Sequence, residues 1–100
     1  MKERIIEKWL VQEVIKLGGI AYKFKSPGRH SVPDRICVFP DNIHAFVECK
    51  ATGKIPTEAQ WREIERLRDR GHWVLVIDRR SEIVKFIDKV KQMIGGGIVW

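Results

Sequence analysis

Val32-Pro33-Asp34-Arg35-Ile36-Cys37-Val38-Phe39-Pro40-Asp41-Asn42-Ile43-His44-Ala45-Phe46-Val47-Glu48-Cys49-Lys50 is the stretch on which the fold turns. Two runs rich in β-branched and aromatic residues are parted by Pro40-Asp41-Asn42, a turn signal, so the segment reads as a β-hairpin. Glu48 and Lys50 flank one residue on the second strand, and period-2 alternation sends both to one face and Cys49 to the other. Asp34 opens the first strand, fourteen positions before Glu48. A two-residue Asp41-Asn42 loop would pair Arg35 with Glu48 and turn Asp34 to the wrong side of the sheet. The spacing therefore predicts a loop longer than Asp41-Asn42, or a bulge.

Two carboxylates and an ammonium brought together in this way suit hydrolysis of phosphodiesters. Hard cations take oxygen ligands and keep several waters, so Asp34, Glu48 and the backbone carbonyl of Cys49 form a candidate site for one without a closed cage. Lys50, on the same face, is placed to orient or deprotonate a water, or to offset charge growing on phosphorus. A surface salt bridge is the alternative for Glu-x-Lys by itself. The Pro33-Asp34 strand start facing it favours the site.

Composition agrees with a polyanionic partner. Lys and Arg outnumber Asp and Glu by 19 to 13, for a formal net charge of +6 and a pI near 9.6. Between Glu13 and Asp34 the chain carries no acidic residue, while Lys16, Lys23, Lys25, Arg29 and His30 all fall there. A solvated basic face would look the same, but this run leads into the proposed site, where a phosphate backbone would lie. Arg35, and Lys54 in the connector beyond the hairpin, complete the candidate DNA contacts.

A chain of 100 residues fits one domain with a modest core, which association would help. Cys37 and Cys49 read as buried thiols. His30, His44 and His72 are scattered, so no zinc-type Cys/His spacing appears. With no apolar signal-like segment near the start and no stretch long enough to cross a bilayer, the expected location is a reducing cytoplasm, bacterial or that of a phage-infected host, without membrane or small-molecule partners.

The elements alternate in an α/β manner. Glu3 to Leu17 places Ile5, Ile6, Trp9, Leu10 and Leu17 along one helical face, stopped by Gly18-Gly19. Ile20 to Phe24 is a short strand, and Ser26-Pro27-Gly28-Arg29-His30-Ser31 is a loop whose small and basic residues suit approach to a ligand. After the hairpin, Thr57-x-x-Gln60 has capping-box spacing for a helix reaching Arg70 and closed by Gly71. Trp73 to Ile77 reads as a buried strand and Ser81 to Ile94 as a last helix. One domain over residues 1–94 and a Gly-rich tail over 95–100 follow.

Two polar positions stand out. Gln60 shares a stripe with Ile64 and Leu67, so its amide either points toward the sheet or serves the capping box. Of the acids of the first helix, Glu13 lies mid-face while Glu3 and Glu7 share an edge, and position alone does not choose among them.

Taken in order, Gly18-Gly19, Ser26-Pro27-Gly28, Val32-Pro33-Asp34-Arg35, Phe46-Val47-Glu48-Cys49-Lys50-Ala51, Gln60 and the Leu67 to Gly71 helix end resemble the VRR-NUC nucleases, a branch of the PD-(D/E)xK superfamily. The resemblance spans roughly residues 3 to 80. It implies a restriction-endonuclease-like α-β-β-β-α-β core with a C-terminal helix, and Mg²⁺ or Mn²⁺ as cofactor. It also implies that Asp34 and Glu48 are metal-binding acids, Lys50 the catalytic lysine, Gln60 the glutamine of the next helix and Glu7 the helix-one acid. Ser31, where many members have glycine, and Cys49, where an aliphatic is usual, depart from the pattern without removing a charge. Small standalone members resemble Holliday-junction resolvases acting as homodimers, which implies a structure-specific endonuclease on four-way DNA. A flap or nicking nuclease and a non-catalytic DNA-binding module are the alternatives.

Overall fold

The computed structural model describes residues 1–95. Its elements run α1 (Glu3–Lys16), β1 (Ile20–Lys23), β2 (Arg35–Val38), β3 (His44–Cys49), α2 (Glu58–Asp69), β4 (Val74–Ile77) and α3 (Arg80–Met93), the order that the periodicities predict. The four strands form one sheet in the order β1-β2-β3-β4. The first three are an antiparallel meander. β4 pairs parallel to β3, and α2 supplies the crossover that a parallel pair requires.

Local chemistry sets the helix ends. Gly18 (φ +77°) lets the amides of Gly18 and Gly19 turn back onto the carbonyls of Ile15 and Val14, satisfying groups that would otherwise be orphaned. Gly19 has a different reason to be glycine: a Cβ there would sit 2.7 Å from the Val38 carbonyl oxygen and 2.9 Å from a Val14 methyl. The turn after α1 is thus packed directly against the end of β2. At the start of α2, Thr57 Oγ1 accepts from the Gln60 amide (3.2 Å) and Gln60 Oε1 accepts from the Thr57 amide (2.9 Å), a complete capping box.

The hairpin register answers the question of loop length. Arg35 pairs with Val47 and Val38 with His44, and the Phe39 amide donates to the Ile43 carbonyl at 2.8 Å. The loop is therefore Pro40-Asp41-Asn42, one residue longer than Asp41-Asn42. Asp41 (φ 63°) and Asn42 (φ 68°) are left-handed, a conformation these short polar side chains tolerate. Run toward the other end, the same register sets Asp34 opposite Glu48.

The core lies on one face of the sheet. Cys37, Ala45, Val47, Cys49 and Ile77 pack against Ile6, Leu10 and Val14 of α1 and Ile83, Phe86, Ile87 and Val90 of α3. Cys37 and Cys49 are buried free thiols, and burial pushes the Cys37 thiol up to about 12. Ile5, expected on the core face of α1, is 37% exposed. The buried row of α1 is Ile6, Leu10 and Val14, spaced i, i+4, i+8, and Ile5 falls outside it. On the opposite face, Ile64 of α2 and Val74 of β4 are buried. Ile20 and Tyr22 of the edge strand β1 are half exposed. No helix among the described residues is long and apolar enough to cross a membrane. The Gly-rich tail expected over 95–100 lies, apart from Gly95, outside the described residues.

Candidate functional site

Alternation and register together bring Asp34, Glu48 and Lys50 to one end of the sheet. Glu48 is almost wholly buried, at 2% exposure. Its Oε2 lies 3.4 Å from Lys50 Nζ, while its Oε1 is buried without any hydrogen-bond partner. A buried, unpartnered carboxylate oxygen is costly in a folded protein unless something pairs with it. Asp34 is oriented by the Cys49 amide, which donates to its Oδ2 at 2.7 Å. That bond ties the start of β2 to the end of β3.

The electrostatics describe a site crowded with negative charge. Burial, and then the charge of Asp34, push Glu48 up to about 7, with Lys50 opposing. Asp34 is raised by burial and by Glu7, against the Cys49 amide and Lys50, which hold it down. Glu3 is also raised, by burial and by Asp34. Both Glu3 and Glu7 therefore lie within electrostatic reach of the pair. Glu13 does not share this cluster: it pairs with Lys16 at 2.8 Å.

Arg35 is a correction to the sequence reading. Expected as a surface contact for phosphate, its side chain is only 14% exposed. Its Nε donates to Glu7 Oε2 at 2.6 Å and its Nη1 to the Ala21 carbonyl at 2.9 Å. Alternation explains this, because Arg35 pairs with Val47 and so points to the face that α1 covers. Arg35 holds Glu7 in place rather than facing solvent.

Among the described residues no three His, Cys, Asp or Glu side chains form a ready-made metal cluster. The oxygen donors that are present, the Asp34 and Glu48 carboxylates and the Cys49 carbonyl, with Glu7 or Glu3 behind them, fit a hard cation that retains waters. The Cys49 thiol plays no part, since it is buried on the core side. The orphaned Glu48 Oε1 is what such a cation would satisfy.

The remaining candidates are dispersed around this centre. Gln60 has its amide oxygen in the capping box. Lys23, Lys25, His30 and Lys54 are exposed. Arg29, also exposed, reaches Glu63 Oε2 at 3.5 Å. The sequence reading passed over Glu63, which is buried on α2, and over Arg66, which also pairs with it. Arg62, Arg66 and Arg70 recur every four residues, and that i, i+4 cationic row was the available signal.

No protein-family model matches the chain. Over 81 residues it is 56% identical to "Putative nuclease p44" of Acyrthosiphon pisum secondary endosymbiont phage 1, spanning 81% of this chain and 87% of that protein. A solved structure described as "VRR_NUC domain" superposes with a TM-score of 0.82 at 32% identity, covering 88% of this chain and 96% of the other. The chain belongs to the VRR-NUC nuclease family. Its α-β-β-β-α-β core with a C-terminal helix is the fold of that domain. In this VRR-NUC chain the Pro33-Asp34 and Glu48-Cys49-Lys50 elements face one another through a three-residue loop.

Proposed function

We propose that this chain is a Mg²⁺- or Mn²⁺-dependent, structure-specific DNA endonuclease that acts on branched DNA, with a four-way junction as the leading substrate. The observation that carries the reading is Glu48: a buried carboxylate with one orphaned oxygen, facing a second carboxylate and backed by a lysine. A divalent cation held by Asp34, Glu48 and the Cys49 carbonyl would supply positive charge at the scissile phosphate and acidify a water. Glu7, or Glu3, would support that site from α1. Lys50, held by Glu48, is placed to orient the attacking water or to neutralise charge as it develops on phosphorus. Gln60, at the start of α2, is kept as a candidate positioning group.

Lys23, Lys25, Arg29, His30 and Lys54 would take the phosphate backbone, consistent with the net charge of +6. One chain offers one such centre, and symmetric incision of a junction needs two, so a two-fold homodimer is part of the proposal. Ile20 and Tyr22, half exposed on β1, and apolar residues of the helices are available for that contact; Ile98 to Trp100, also considered for it, lie outside the described residues. Incubation with four-way, flap, fork and linear duplex DNA in Mg²⁺, Mn²⁺ or EDTA tests the reading. Metal-dependent paired nicks in the junction are expected; cleavage confined to flaps would favour a flap nuclease, and tight binding without cleavage a DNA-binding module.

A further inference from the structure

Beside the acid centre, the loop before β2 and the side of α2 turned toward it line an open cavity of about 270 Å³. Its apolar lining is Phe24, Val32 and Leu67, and Arg29, Arg66 and Arg70 stand around it with the buried Glu63. Glu63 is only 6% exposed. Its Oε2 pairs with Arg29 and with Arg66, while Arg70 Nη1 donates to the Arg66 carbonyl at 2.9 Å. Three guanidinium groups and one carboxylate leave a formal excess of two positive charges around an apolar, partly aromatic floor. Structural packing alone does not call for that combination, because a purely structural Glu63 is neutralised by one arginine.

We propose that this cavity captures one unpaired nucleobase of the DNA, stacked on Phe24, with its phosphate on the arginine rim. The inference rests on the DNA reading given above and adds what it lacks, a source of structure specificity. An aromatic face accepts any base, so capture there discriminates paired from unpaired nucleotides without reading sequence. Guanidinium groups bind phosphate by paired donors and also stack on planar rings. Glu63 adds an acceptor for an exocyclic amino group. The position fits as well: the Phe24 amide donates to the Asp34 carbonyl at 2.9 Å, and Val32 precedes Asp34 by two residues. Two residues of chain span at most about 7 Å, roughly the distance between adjacent phosphates of one strand. A base held there would register the neighbouring phosphate on Asp34 and Glu48.

The test compares duplexes carrying a single unpaired thymidine with the same duplexes carrying an abasic residue at that position, bound to the full chain in EDTA. Wild type should bind the base-containing DNA about 10-fold tighter. That ratio should fall to about 1 in Leu67→Trp, which fills the cavity without changing its charge, and should shrink in Phe24→Leu, which keeps apolar volume but removes the aromatic face. Equal binding of the two DNAs by wild type would overturn the inference, whatever the variants do. So would a ratio unchanged in a folded Leu67→Trp and in Phe24→Leu. Cleavage is read separately in Mg²⁺ and Mn²⁺: a preserved binding ratio with no cleavage overturns the nuclease reading and leaves the base pocket standing.

Discussion

Replacing Glu48 by glutamine should make the metal-free protein more stable at neutral and alkaline pH, although it disables the proposed centre. Glu48 is 2% exposed, one of its oxygens has no partner, and burial with Asp34 lifts its pKa from 4.5 to about 7. The folded chain therefore holds this proton more tightly than the unfolded chain does. Between about 4.5 and about 7 the native state binds more protons, so the contribution of Glu48 is fully favourable below that window and is lost as pH rises through it. At 1.36 kcal/mol per pKa unit, the loss is about 3 kcal/mol by pH 8. Glutamine keeps the shape and an acceptor for Lys50 but carries no charge to bury. Urea unfolding in EDTA from pH 5 to 8.5 should show wild type falling relative to Glu48→Gln by about that amount, with most of the gap opening between pH 5 and 7.5. Mg²⁺ or Mn²⁺ at pH 8 should then raise wild type more than the variant, because binding to the native state alone stabilises it. A difference between the two proteins that stays flat with pH, or that grows in favour of wild type toward pH 8, would refute a site strained by unneutralised charge.

Asp34→Asn and Lys50→Ala should each abolish metal-dependent cleavage of branched DNA in gel assays while binding in EDTA is retained, since the first removes a proposed ligand but also a repulsion toward phosphate; near wild-type cutting by Asp34→Asn would sink the site. Lys25→Gln should weaken DNA binding evenly across sequences and lower the slope of log affinity against log salt by about 1, as measured by fluorescence polarisation. Sedimentation at micromolar concentration should report a dimer, and mixing wild type with Asp34→Asn should yield heterodimers that nick a junction on one strand; a monomer on junction DNA that cuts flaps well would count for the flap reading. Gly19→Ala should cost about 1 to 3 kcal/mol by overpacking, because its Cβ would meet the Val38 carbonyl at 2.7 Å, and thermal unfolding measures it.

The order of elements was legible because each signal for it is local. Apolar spacing, the Gly18-Gly19 stop, the Thr57-Gln60 box and the Pro40-Asp41-Asn42 turn all act within a few residues of themselves. The Asp34, Glu48 and Lys50 set was legible for the same reason, since alternation along a strand and the parity of a hairpin loop decide which side chains share a face. Tertiary structure decided whatever depends on how α1 and α2 lie across the sheet. It separated Glu3 and Glu7, close to the acids, from Glu13, which lies further along α1 and pairs with Lys16. It put Arg35 under α1. It also folded Glu63 and its arginines against the loop before Asp34. A helix periodicity reports which face is apolar, but the angle and depth at which that face meets the sheet come from side chains distant in sequence, and those contacts alone fix which charges end as neighbours.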